Sequence, residues 1–172
     1  MTTFWKWLLK GTGNGPGLSR FCDWWILFHI IVGLLMAHIL PITLKEASTS
    51  LLLPVAGILI GLSFAWGGNA QALLQSEEIE NISSFKKGGF DDYVYTFQSA
   101  IFLILVTLCF WAIAGLDVFY SVWPTCSNIM WYRLLIGFIF FLSSMTLREC
   151  WHVVLGAQQL LLMRFHARKN RE

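Results

Sequence analysis

Four apolar runs, at residues 24–44, 51–74, 94–116 and 129–150, constrain this chain more than any other feature. Each is near the roughly 20 residues a helix needs to cross the ~30 Å hydrocarbon layer of a bilayer. In lipid, every backbone N–H and C=O must be satisfied within its own segment or a closed barrel, so separate long runs of this kind form helices. The expected fold is all-α: a polytopic membrane protein, a bundle of four transmembrane helices with cytoplasmic extensions of helices two and four. Hydrophobic residues make up 56% of the chain and charged residues 13%, where a soluble chain carries about a quarter charged. A water-dissolved globule is excluded on that balance.

The positions of the basic residues orient the bundle. Lys6, Lys10 and Arg20 precede the first run, Lys86 and Lys87 lie between the second and third, and Arg164, Arg168, Lys169 and Arg171 follow the fourth. Lys45 and Arg133 stand on the opposite side, and Arg148 falls at a helix end. The positive-inside rule then places both termini and the middle loop in the cytoplasm, for a multi-pass protein of the inner (cytoplasmic) membrane. The net charge of +2 is too small to argue for nucleic acid, which is not an expected partner. The bilayer is the first partner.

Three regions follow from this reading. Residues 1–22 form an interfacial N-terminal segment and a Gly-rich linker: Trp5, Trp7, Leu8 and Leu9 beside Lys6 and Lys10 suit the headgroup region, and the segment is too short to be a removable leader. GTGNGPG at 11–17 is followed by no GK[ST] and preceded by no strand, so it reads as linker and not as a phosphate loop. Residues 23–150 are the four-helix transmembrane domain, and 151–172 a basic cytoplasmic C-terminal helix and tail. Short outer connections are expected at 45–50 and 117–128, with a helix-breaking GGF at 88–90 closing the middle loop. Phe119, Tyr120, Trp123, Trp131 and Tyr132 on the outer side, and Trp24, Trp25, Tyr93, Tyr95 and Trp151 on the inner, read as interfacial aromatic belts. The Cys residues at 22, 109, 126 and 150 show no ligand spacing, and the topology leaves only Cys126 outside, so no intrachain disulfide is expected.

Small residues mark candidate packing faces. Gly57, Gly61 and Gly68 share one face of helix two, the first two as GxxxG, and Gly137 begins a similar face on helix four with Ser144 and Arg148. Helix one offers His29 and Gly33. These faces meet either within one chain or between copies, and a homo-oligomer is expected. Near the cytoplasmic side, His29, Asn69, Gln71, Gln98, Arg148, Glu149 and His152, with Asp23 at the edge, form a polar layer. Ionisable groups facing hydrocarbon cost at least about 2.5 kcal/mol each, so this layer faces an interior, a partner or water. It lines an inner vestibule, or else Arg148 and Glu149 mark the membrane edge and snorkel outward. Glu77, Glu78, Glu80, Lys86, Lys87, Asp91 and Asp92 make the middle loop a candidate docking surface for a cytoplasmic protein partner, or simply a solvated one.

Catalytic chemistry finds little footing. His29 and His38 are nine residues apart, which turns them to opposite faces of one helix. His29 with His152 is the remaining cross-helix pair for a haem, Glu149 and His152 alone do not complete a metal site, and Ser63, Ser143 and Ser144 lack GxSxG. No catalytic residue, cofactor or metal is expected. The leading expectation is a non-enzymatic membrane module that self-associates and couples to a cytoplasmic partner, with a bacterial phage-defence or exclusion system as a setting that suits it. The alternatives are an oligomeric pore or channel subunit, and a small b-type cytochrome or quinone-linked electron carrier.

Overall fold

Long apolar segments with their hydrogen bonds closed internally are what the sequence demands, and helices are what the chain forms. A computed structural model describes residues 4–10, 17–39, 43–74, 89–118 and 129–169, and every regular element among them is helical. The elements are α1 (Phe4–Lys10), a 3₁₀ turn (Gly17–Phe21), α2 (Trp25–Ile39), α3 (Leu44–Ala47), a π-helical turn (Ser48–Leu52), α4 (Leu53–Leu74), α5 (Gly89–Gly115) and α6 (Ile129–Lys169). Two stretches among the described residues, Val94–Gly115 of α5 and Met130–His166 of α6, are long and apolar enough to cross a membrane. α2, with 15 residues, rises about 22 Å and is short of the hydrocarbon thickness by itself.

Two boundaries differ from the sequence expectation. The connection expected at 45–50 is helical, because Thr43 caps a new helix: its side-chain Oγ1 accepts the Glu46 backbone N–H at 3.2 Å, the T-x-x-E pattern of a capping box. From there α3 runs through the π-helical turn directly into α4. Pro54, which has no N–H and whose ring crowds the carbonyl four residues back, sits just past this widened turn, and the π geometry is what lets a helix pass it. Gly89 and Phe90, expected to break structure, are instead the first residues of α5. Helix four continues past 150 as expected: α6 runs 41 residues without interruption, about 60 Å. The extension expected on helix two is described as far as Leu74, and the rest of it lies outside the described residues.

The chain divides into two compact units, and α4, α5 and α6 each contribute to both. The unit of Asp23–Ile60 and Leu103–Glu149 is built on Leu44, Ala47, Ala56, Trp111, Tyr132, Ile136, Ile139 and Phe140. A run of interhelical hydrogen bonds ties this core together. Ser48 Oγ donates to the Trp111 carbonyl at 2.5 Å, the Trp111 indole N–H donates to Ser143 Oγ at 2.9 Å, and Thr146 donates to Thr107 at 2.7 Å. Each hydroxyl satisfies itself away from water, which is why Ser and Thr serve as polar glue between apolar helices. Tyr132 belongs here and not to a belt: it is buried, and its hydroxyl accepts the Leu44 N–H at 2.9 Å. α5 ends at Gly115, and in the turn that follows, Asp117 has a φ of 62°, the left-handed conformation that Asp tolerates better than most residues.

The other unit comprises Met1–Cys22, Gly61–Phe102 and Cys150–Glu172. Its core joins Phe97 and Ala100 of α5 to Val153, Ala157 and Leu160 of α6, with Trp66 of α4 against them. Gly156 lets the α5 ring in close; a Cβ there would sit 3.1 Å from Phe97 Cζ. α1 docks on the same unit: Trp7 and Leu8 are buried, the Trp7 ring lies 5.7 Å from Tyr95, and Trp5 and Leu9 face outward. The stretch after 150 is therefore a packed part of the fold at least to Leu160.

Candidate functional site

The polar residues of α2 and α6 meet along one antiparallel seam, at three successive levels. At the first, glycine meets glycine: a Cβ on Gly33 would fall 2.5 Å from the Gly137 carbonyl oxygen and 3.0 Å from Phe141 Cβ. Nothing larger than hydrogen fits, so the backbones approach to a distance only Gly permits. One turn along, His29 is 2% exposed and shares a 2.7 Å hydrogen bond between Nδ1 and Ser144 Oγ. Its Nε2 has no partner among the described residues. At the end of the seam Arg148 grips Asp23 with a two-pronged fork, Nη1 to Oδ1 at 2.9 Å and Nη2 to Oδ2.

That fork is the strongest geometry a carboxylate and a guanidinium offer. Asp23 has a second task, since Oδ1 also accepts the Trp25 N–H at 3.1 Å and so closes the first turn of α2. An anionic group at a helix start is stabilised by the helix dipole as well. The hydrogen bonds from Arg148, with its charge, hold the Asp23 carboxyl below the usual carboxylate range despite partial burial. Arg148 thus folds back onto its own chain, partly buried and paired with Asp23.

The residues of the expected polar layer are drawn from both units. His29, Arg148 and the buried Glu149 belong to the unit that holds the seam. Asn69, Gln98 and His152 belong to the other and are exposed. The side chain of Gln71 lies outside the described residues. His152 lines a cavity of about 370 Å³ whose polar edge is Arg20, Thr96 and Gln159 and whose wall includes Phe97 and Met163. Arg20 is fixed there by Nη1, which donates to the Thr96 carbonyl at 2.8 Å and to Ser99 Oγ at 2.9 Å. In the sequence Arg20 reads only as a charge, because nothing local marks which helix a linker arginine will reach.

The glycines divide as sharply. Gly137 is buried in the seam, whereas Gly57, Gly61 and Gly68 are exposed, with no described atom within 4 Å of a Cβ built on any of them. Of the candidate docking residues, Glu77, Glu78, Glu80, Lys86 and Lys87 lie outside the described residues. Asp91 and Asp92 are in α5, with their side chains outside that set. Cys22 and Cys109 are exposed and Cys150 is buried, and none of these three is in a disulfide. Among the described residues no three His, Cys, Asp or Glu side chains gather as metal ligands.

Among the described residues the geometry is all-helical, with two helices of membrane-crossing length and apolarity, and α2 is joined to α6 by small residues and charge-assisted hydrogen bonds. No protein-family model, no curated protein and no solved structure matches the chain.

Proposed function

We propose that this chain is a non-enzymatic integral membrane module. It crosses the bilayer four times with both ends in the cytosol, assembles with copies of itself through α4, and engages a soluble protein through the cytoplasmic ends of α4 and α6. A defence or exclusion system, in which a soluble sensor acts on a membrane part, is a setting that suits such a module.

The observation that carries self-assembly is the contrast among glycines. Gly33 and Gly137 are consumed in a backbone contact within the chain, while Gly57, Gly61 and Gly68 present the same kind of surface outward. Between apolar helices in lipid, packing of small residues is a main source of association, because hydrocarbon gives no hydrophobic reward for pairing. Support for an engaged α6 end comes from Leu161, Leu162 and Phe165, which are large, apolar and exposed beside Arg164.

Energy transfer between donor- and acceptor-labelled copies in dilute proteoliposomes tests the assembly. Transfer above the random-proximity level that falls on Gly61→Leu is expected; none above that level overturns the reading. The topology is tested by an impermeant maleimide, which should reach Cys22 only from the cytosolic side and Cys126 only from the other. Voltage-dependent current in a planar bilayer would move the chain to the channel subunits, and a haem absorption band to the electron carriers.

A further inference from the structure

From the groove between α2 and α6 we infer a binding site for an anionic phospholipid, an inference that rests on the membrane reading above. A cavity of about 290 Å³ opens where α2 ends and α6 begins, lined by Leu34, Ala37, His38, Met130, Arg133 and Leu134. A second, of about 230 Å³, continues along the same two helices past Ile30, Phe138 and Phe141 and shares Leu34 with the first. Together they form one track, with cationic and imidazole groups at its mouth and only apolar groups further in.

Charge complementarity selects the occupant. No Asp or Glu is among the described residues lining either cavity. Arg133 is exposed and makes no ion pair with a described residue, unlike Lys45, whose Nζ lies 3.8 Å from Asp117 in the same unit. A guanidinium at the rim of an apolar track offers parallel N–H donors to a phosphate diester, and Arg is the side chain best shaped for that group. The distance from Arg133 to Phe141 along α6 is about 12 Å. An acyl chain attached to that phosphate therefore has an apolar bed running inward along the seam. A guanidinium beside an apolar groove thus offers a partner to each half of a phospholipid, here on the side that the proposed topology turns away from the cytosol. The seam explains why the track stays open: the glycine contact draws the two backbones together beneath it, and the larger side chains Leu34 and Phe138 flank the channel left outside.

The test uses the full chain in mild detergent, with bound lipid read by native mass spectrometry and by the shift in unfolding temperature. Phosphatidylglycerol is expected to remain bound and to raise the unfolding temperature more than phosphatidylcholine does. Arg133→Ala should weaken that binding about fivefold, the effect of one basic residue at an anionic surface, and Arg133→Lys should restore part of it. Leu34→Trp, which fills the track and leaves the cation in place, should lower phospholipid retention without changing helix content. Equal retention of the two lipids, or an unchanged preference in Arg133→Ala, overturns the proposal. Protection by inorganic phosphate equal to that by phosphatidylglycerol overturns it too, by showing an anion site without a chain bed. Failure of the membrane reading would appear separately, as release of the protein from membranes by alkaline carbonate without detergent.

Discussion

Two glycine surfaces on the same chain meet opposite fates. On the α2/α6 seam, Gly33 and Gly137 close a backbone contact that excludes every larger side chain; on α4, Gly57, Gly61 and Gly68 face open space among the described residues. The residue type is the same and so is the helical setting. What differs is the neighbour: the seam adds His29 to Ser144 and Asp23 to Arg148, directional bonds that fix its register, while the described contacts of α4 lie on its other side, through Ala56 and Trp66. Small residues permit close approach, and polar bonds decide where that approach is used.

The largest expected effect tests the closed surface. Gly33→Leu should cost about 3 kcal/mol of stability in micelles, the upper range for overpacking, because the atom it would displace is backbone and not a flexible side chain. Unfolding in mixed micelles would show it, and a variant as stable as the parent would mean that the seam does not close as described. Gly61→Leu should do the reverse: within-chain stability should move by less than about 0.5 kcal/mol, while association between copies weakens by on the order of 1 to 2 kcal/mol. Loss of chain stability without loss of association would erase the distinction between the two faces.

Smaller effects sharpen the account of the seam. Arg148→Ala should cost about 1 kcal/mol, a charge-assisted bond discounted for an Asp23 side chain 37% exposed. Pairing it with Asp23→Asn in a double-mutant cycle should show coupling between the two positions; additive losses would mean that the fork contributes nothing. The smallest effect is in acid. Arg148 holds the Asp23 carboxyl low, so the contribution of the pair is full above the usual carboxylate range and is lost as pH falls through that lowered value. The stability of Asp23→Asn should therefore depend less on pH in acid than that of the parent, as measured by thermal unfolding across that range.

The helical character of the chain was legible because apolar length is an additive property, readable without knowing any partner. The long apolar runs of α5 and α6 are of this kind. The capping box at Thr43 was equally local and marks a helix start that the apolar count alone places too late. The passage of the chain through Pro54 was not legible, since a π-helical turn has no composition of its own. Tyr132 illustrates the harder case: an aromatic ring with a hydroxyl near a membrane edge suits an interface, until a particular backbone N–H, that of Leu44, turns out to lie within reach.

By itself the sequence determined that the chain is helical, that its longest helices suit a bilayer, and which residues are small or charged enough to be unusual there. These follow from the free energy of moving groups out of water, which each residue carries with it. Only the tertiary structure decided that Gly33 takes Gly137, that Asp23 takes Arg148, and that Gly57 and Gly61 are left outward. Close approach and hydrogen bonding act over a few ångströms between residues more than a hundred positions apart, and no local property of either partner records the other.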